Sequence, residues 1–149
     1  MNIAIEHLIL QELVAFLRKQ ADEVFSDLKD EGRLNMLAEK WCKYAEFCIC
    51  RDEDGQLVGM IAFYANQCEG CVAYIPHVYV DKAYRGKGVF AGLFLVVKDY
   101  VRDKGFSQIR LEVKNNNLRA RRAYQNIGFQ IAGEASEESI FMTFKICVK

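Results

Sequence analysis

Val78-Tyr79-Val80-Asp81-Lys82-Ala83-Tyr84-Arg85-Gly86-Lys87-Gly88-Val89-Phe90-Ala91-Gly92-Leu93-Phe94 joins a strand to a helix through a basic glycine turn. Val78 to Val80 close a β-branched, aromatic run that begins near Cys71, which reads as a strand. Val89, Leu93, Val96, Val97, Tyr100 and Val101 then recur at helical spacing. Gly86 and Gly88 can take positive φ and let a ligand approach the backbone. Free N–H groups at the helix start point outward, so strand, glycine turn and helix together suit a phosphate.

Upstream, Ile3, Ile5 and Ile9 suggest a short first strand, and Leu13, Val14, Leu17, Ala21, Val24 and Phe25 mark a helical face from about Gln11. Residues Ser26 to Gly32 read as a loop, and a second helix from about Leu34 turns Leu34, Leu37, Ala38, Trp41 and Ala45 inward. Phe47 to Arg51, Leu57 to Ala65 and Cys71 to Val80 are strands, the first two joined by a turn at Glu53-Asp54-Gly55. Asn66 to Gly70 forms the next turn.

Downstream, the glycine-turn helix runs from Gly88 to about Lys104 and stops at Gly105. Ile109, Leu111 and Val113 alternate with Arg110, Glu112 and Lys114 in a strand. Asn117 can cap the following helix, whose inner face is Ala120, Ala123, Tyr124 and Ile127. Short and long strands follow, at Phe129 to Gly133 and Ile140 to Lys149. The order is mixed α/β within one domain, residues 1–149.

Twenty basic and twenty acidic residues cancel, so no global field favours nucleic acid or an anionic membrane. The 52% hydrophobic and 27% charged shares fit a soluble globular protein. The longest apolar stretch, Gly88 to Val97, is too short to span a bilayer. Met1 to His7 lacks a basic n-region and a cleavage site, which points to a cytoplasmic protein. In that compartment the six cysteines read as small buried hydrophobes rather than disulfide partners. Cys68-Glu69-Gly70-Cys71 is a lone C-x-x-C across a turn. Without a second pair it does not make a zinc site, and no metal is expected.

Arg85-Gly86-Lys87-Gly88, in R-x-x-G-x-G/A spacing after a strand, resembles the pyrophosphate motif of the GCN5-related N-acetyltransferases. Phe90 stands where that motif ends in a small residue. One helix and one strand later, Asn117-Leu118-Arg119-Ala120-Arg121-Arg122-Ala123-Tyr124-Gln125-Asn126-Ile127-Gly128-Phe129 resembles the family's N-x-x-A-x-x-x-Y-x-x-x-G-F block. The resemblance implies a mostly antiparallel central sheet, splayed between strands 4 and 5, with helices on both faces. It implies acetyl-CoA as cosubstrate and transfer to a primary amine, expected to be that of a small molecule, in a ternary complex. A non-catalytic CoA-binding module is the alternative. A second copy of the chain is the macromolecular partner left open.

The same resemblance implies roles. The backbone of Val78, Tyr79 and Val80 would lie along pantetheine, the amides of Arg85, Gly86, Lys87, Gly88, Val89 and Phe90 would hold the pyrophosphate, and Asn117 would bond the pantetheine arm. Ala120 would leave room for the cofactor, and Tyr124 would donate a proton to the departing thiolate; its other reading is a core aromatic. The amine needs a base, because a lysine-like pKa of ~10.4 leaves a gap of about 3.4 units at pH 7, ~4–5 kcal/mol. His77 on the central strand is the candidate, set against a structural histidine. Strand parity would put Tyr74, Pro76, Val78 and Val80 on one face and Ile75, His77 and Tyr79 on the other, unless Pro76 marks a bulge. Glu112 alternates outward. Asp27, Asp30 and Glu31 could attract a cationic amine, or be solvated charges.

Overall fold

A computed structural model of the chain describes residues 1–21, 30–65 and 71–146. These form strands β1 (Asn2–Ile5), β2 (Glu46–Arg51), β3 (Leu57–Tyr64), β4 (Val72–Val80), β5 (Gln108–Lys114), β6 (Gln130–Glu134) and β7 (Ser139–Lys145). The helices are α1 (Leu10–Gln20), α2 (Glu31–Tyr44), α3 (Val89–Asp103) and α4 (Leu118–Ile127). The strands make one sheet in the order β1-β2-β3-β4-β5-β7-β6. Every neighbouring pair is antiparallel except β4 and β5, which run parallel. The expected mixed α/β fold, with helices on both faces of a mostly antiparallel sheet, is the one observed.

Two apolar cores sandwich the sheet. On one face α3 lays Val89, Leu93, Phe94, Val97 and Val101 on Cys48, Ile61, Phe63, Ile75 and Leu111, and α4 adds Ala120, Tyr124 and Ile127. On the other, α1 and α2 bury Leu13, Phe16, Leu17, Leu34, Ala38 and Trp41 against Phe47, Ile49, Met60 and Tyr79. β3 is therefore covered on both sides, so its buried run Leu57 to Phe63 does not alternate with polar residues.

Helix α2 starts at Glu31, three residues before the expected Leu34, because Asp30 caps it. The Asp30 carboxylate accepts from the N–H groups of Gly32 (2.9 Å) and Arg33 (3.3 Å). On α1, Leu13 and Leu17 face inward as expected, and Phe16 and Gln20 join them. Val24, Phe25 and Val148 lie outside the described residues. Cys42, Cys48, Cys50 and Cys71 are free thiols, and burial pushes the Cys48 pKa up to about 12, so it behaves as a small hydrophobe.

The face assignment of β4 requires a correction. Ala62 pairs with His77, yet Tyr64 pairs with Tyr74, so three residue steps of β4 span two of β3. The extra residue is a bulge at Ile75–Pro76, where proline supplies no ladder donor. Ile75, Val78 and Val80 consequently pack on the α3 core. Tyr79 joins the α1–α2 core, and His77 stacks on Trp41 there with ring centroids 5.0 Å apart. His77 is in step with Tyr74 after all, because the bulge resets the parity that simple alternation assigns.

Candidate active site

The parallel ladder between β4 and β5 ends at Ile75↔Leu111. Beyond it β4 stays with β3 as far as Val80, while β5 stays with β7 as far as Lys114. The two strands fork, and the fork opens a cleft of about 660 Å³ between β4, β5, the glycine turn and α4. That volume suits a small-molecule or cofactor site.

The polarity of the fork follows from the β3–β4 ladder. Asp81 donates its N–H to the Val58 carbonyl at 2.7 Å. In an antiparallel pair the residues that turn their backbone groups toward one neighbour alternate, so Tyr79 is not among the free set and Val78 and Val80 point away from β3. The N–H and C=O groups of Val78 and the N–H of Val80 thus face the gap as an unpaired strand edge. The Val80 carbonyl is already used: Arg85 Nε donates to it at 2.8 Å, and the Arg85 guanidinium lies 5.4 Å from the centre of the Tyr79 ring.

A short 3₁₀ turn at Lys82–Tyr84 leads into the glycine turn. Gly86 has φ 74° and Gly88 φ 79°, conformations that side chains with a Cβ resist. No atom lies within 4 Å of where a Cβ would stand at either position. The space in front of the turn is open. Gly88 also serves as the N-cap of α3 and brings no capping side chain. The first closing bond runs from Gly92 N–H to the Gly88 carbonyl at 3.0 Å, so the amides of Val89, Phe90 and Ala91 have no acceptor within the helix. An uncapped helix start beside two left-handed glycines is a nest for an anion, and the helix dipole adds about 0.3–1 kcal/mol. Lys87 is exposed beside it.

The Phe90 ring does not enter this turn. It points along α3 to α4 and meets Tyr124 edge-on at 5.5 Å. Tyr124 also leans on Phe129 at 5.8 Å, and its burial pushes the phenol pKa up to about 12. Asn117 caps α4, its Oδ1 accepting the Ala120 N–H at 3.2 Å, which leaves the side-chain amide donors directed outward. Asn117, Ala120 and Tyr124 all line the cleft, opposite Val78 and Val80.

His77 is 4% exposed. Its Nε2 lies 2.7 Å from the Gln20 side-chain amide, within hydrogen-bond distance. Burial pushes the His77 pKa down to about 4, so the ring is neutral at pH 7. Of the acidic residues expected to draw a cation, Asp30 is occupied as a helix cap, and Glu31 holds Arg18 at 2.9 Å on the surface. Asp27 and Cys68 lie outside the described residues. Glu112 lines the cleft just past the fork and accepts from the Ser139 hydroxyl at 2.6 Å. Arg110 and Thr143 pair across β5 and β7 on the face that carries Glu112 and have no motif to announce them; their only sequence signal is polar alternation along those strands. Gln20, buried at the end of α1 against His77, has no sequence signal either.

A model of the acetyltransferase (GNAT) family matches residues 10–129. The chain is 32% identical over 114 residues to the mycothiol acetyltransferase of Renibacterium salmoninarum, covering 74% of this chain and 32% of that protein. It is 35% identical over 80 residues to the streptothricin acetyltransferase of Escherichia coli, covering 54% and 45%. Against human N-acetyltransferase 8B the match is 36% over 59 residues, 40% of this chain and 26% of that one. The chain thus spans less than half the length of these curated relatives. Among solved structures, the fold overlays the paiA N-acetyltransferase of Thermoplasma acidophilum, crystallised in complex with coenzyme A, with a TM-score of 0.76 at 19% identity, covering 97% and 99%. A putative streptothricin acetyltransferase of Bacillus anthracis in complex with acetyl coenzyme A gives a TM-score of 0.62 at 28% identity, covering 70% and 64%.

Proposed function

The chain belongs to the acetyltransferase (GNAT) family, and on that footing we propose that it transfers the acetyl group of acetyl-CoA to the primary amine of a small molecule, by direct attack in a ternary complex. The observation that carries this is the forked cleft, with an open anion nest at one end and a half-buried phenol at the other.

Acetyl-CoA supplies an activated thioester: the amine nitrogen bonds to its carbonyl carbon, the C–S bond breaks, and the sulfur leaves as a thiolate. The protein's residues do the rest. The amides of the turn and of the α3 start hold the diphosphate, with Lys87 adding charge. The free backbone edge of Val78 and Val80 pairs with the amide-bearing arm, and Asn117 Nδ2 donates to it. Tyr124 keeps its proton throughout the physiological range and offers it to the departing sulfur. Glu112, exposed at the mouth of the cleft, draws the ammonium there by its charge, and the proton that the ammonium must shed passes to solvent. His77 is set by its Gln20 bond and Trp41 stacking to hold the bulge in place. A base of pKa about 4 stands ~6 units below an ordinary alkylammonium, too far to drive its deprotonation.

Calorimetry with coenzyme A, followed by thiol release from acetyl-CoA over a panel of amines, tests the reading. Measurable heat and amine-dependent thiol release are expected; heat without release from any amine would leave only a binding module. Gly88→Ala sharpens the test. A Cβ at φ 79° costs roughly 1–2 kcal/mol, and relaxing it re-aims the amides. Affinity for coenzyme A is expected to fall at least about tenfold. Unchanged affinity would remove the turn from the site.

A further inference from the structure

Four side chains form a transverse row on the sheet face opposite α3. Tyr64 pairs with Tyr74, Tyr74 with Arg110, and Arg110 with Thr143, across β3, β4, β5 and β7. Their sequence neighbours Ile109, Leu111 and Met142 are sealed in the α3 core, so the row faces the other way. The α1–α2 core draws no residue from β5, β6 or β7. Hence the far half of the row has no helix over it among the described residues.

Yet Arg110 Nε and Thr143 Oγ1 are buried, with no hydrogen-bond partner among the described residues. Leaving such groups unpaired is costly, and folded proteins satisfy nearly all of them. The Arg110 guanidinium lies 5.4 Å from the centre of the Phe141 ring, a seat that braces the planar fork. Tyr74 belongs to the same cluster: burial raises its pKa first and the Glu112 charge second, while Arg110 opposes them. Glu112 stands two residues along β5 on this face, about 6.6 Å further toward the fork. From the row to the fork the site therefore runs guanidinium, then carboxylate.

Resting on the transferase reading above, we propose that the acceptor is a short amino acid. Its carboxylate is held bidentately by Arg110 with Thr143 donating beside it, and its ammonium lies at Glu112 at the edge of the fork. The planar guanidinium fits a carboxylate where a lysine would act only as a point charge. The order of charges along β5 also sets the polarity: the amine leads into the cleft and the carboxylate trails.

The test uses glycine, β-alanine and γ-aminobutyrate, each paired with its primary amide, on the full chain saturated with coenzyme A. The binding readout is the rise in Tm with added ligand. The turnover readout is thiol release from acetyl-CoA. At least one acid is expected to bind and turn over about 10–100-fold better than its amide, the range of a charge-assisted pair. Arg110→Gln should bring that ratio near one, and Arg110→Lys should restore part of it, with coenzyme A affinity unchanged in both. Equal response to acid and amide in the wild type, including no response to either, overturns the proposal. So does an Arg110→Gln variant that loses both members of a pair alike. Discrimination in binding without thiol release sinks the transferase reading and leaves the carboxylate site standing.

Discussion

Tyr124→Phe is expected to lower turnover by about two orders of magnitude or more, within the 10²–10⁴-fold range of positioned proton donors, with coenzyme A affinity within about threefold of the wild type. The reason lies in what the phenol can and cannot do. Burial pushes its pKa up to about 12, some 3.5 units above an ordinary thiol, so handing its proton to a fully formed, solvated thiolate is uphill by ~5 kcal/mol. Inside the cleft the comparison changes, because the burial that opposes a phenolate also opposes a thiolate. On the proposed mechanism the hydroxyl acts by meeting charge as it develops on sulfur, with the proton shared while the C–S bond lengthens. Phenylalanine keeps the ring contacts with Phe90 and Phe129 and removes only that donor. Since the phenol would be half deprotonated only near pH 12, turnover should show no basic limb from it below about pH 10 in the wild type. Steady-state kinetics against pH, with calorimetry for coenzyme A, checks both parts. An unaltered kcat in the phenylalanine variant would remove Tyr124 from the chemistry.

The second large effect is structural. Phe94→Ala should destabilise the fold by about 3–5 kcal/mol. Phe94 is 3% exposed and its ring lies 5.3 Å from Phe129 and 5.0 Å from Phe144. Those neighbours come from the end of α4 and from β7, so the ring ties α3 to both. Truncation leaves a cavity walled by three elements that the sheet holds apart, which limits collapse. Urea unfolding reads the loss as a lower midpoint at a similar m-value. A midpoint shift worth under about 1 kcal/mol would mean that the aromatic cluster is not the joint between these elements. Phe94→Leu, which retains most of the volume, should lose much less.

Much of the site is local and therefore legible in the chain. Gly86 and Gly88 must adopt left-handed backbone for the strand to feed the helix so tightly, and their spacing announces it before any coordinates. Asn117 as a cap and Tyr124 two turns later follow from helical periodicity. Other features were legible only in part. Alternation along β4 failed at Pro76, because a bulge adds one residue and inverts every face beyond it. The composition of the strand permits that event without dictating it. Phe90, a departure from the family's small residue, turned out to pack away from the glycine turn, a matter of which side of α3 it occupies once α4 is docked.

What the sequence determines by itself is whatever depends on neighbours within about one turn or one strand: the elements, their caps, the glycine turn and the phenol's place on its helix. Short-range sterics and hydrogen bonds settle these, and periodicity records them. What only the tertiary structure decided is the fork between Ile75 and Leu111, the face on which His77 is sealed, and the row that brings Tyr64, Tyr74, Arg110 and Thr143 side by side. These depend on register between strands far apart in the chain. Register is chosen by how two apolar cores fill on opposite faces of one sheet, a global packing condition that no local window contains.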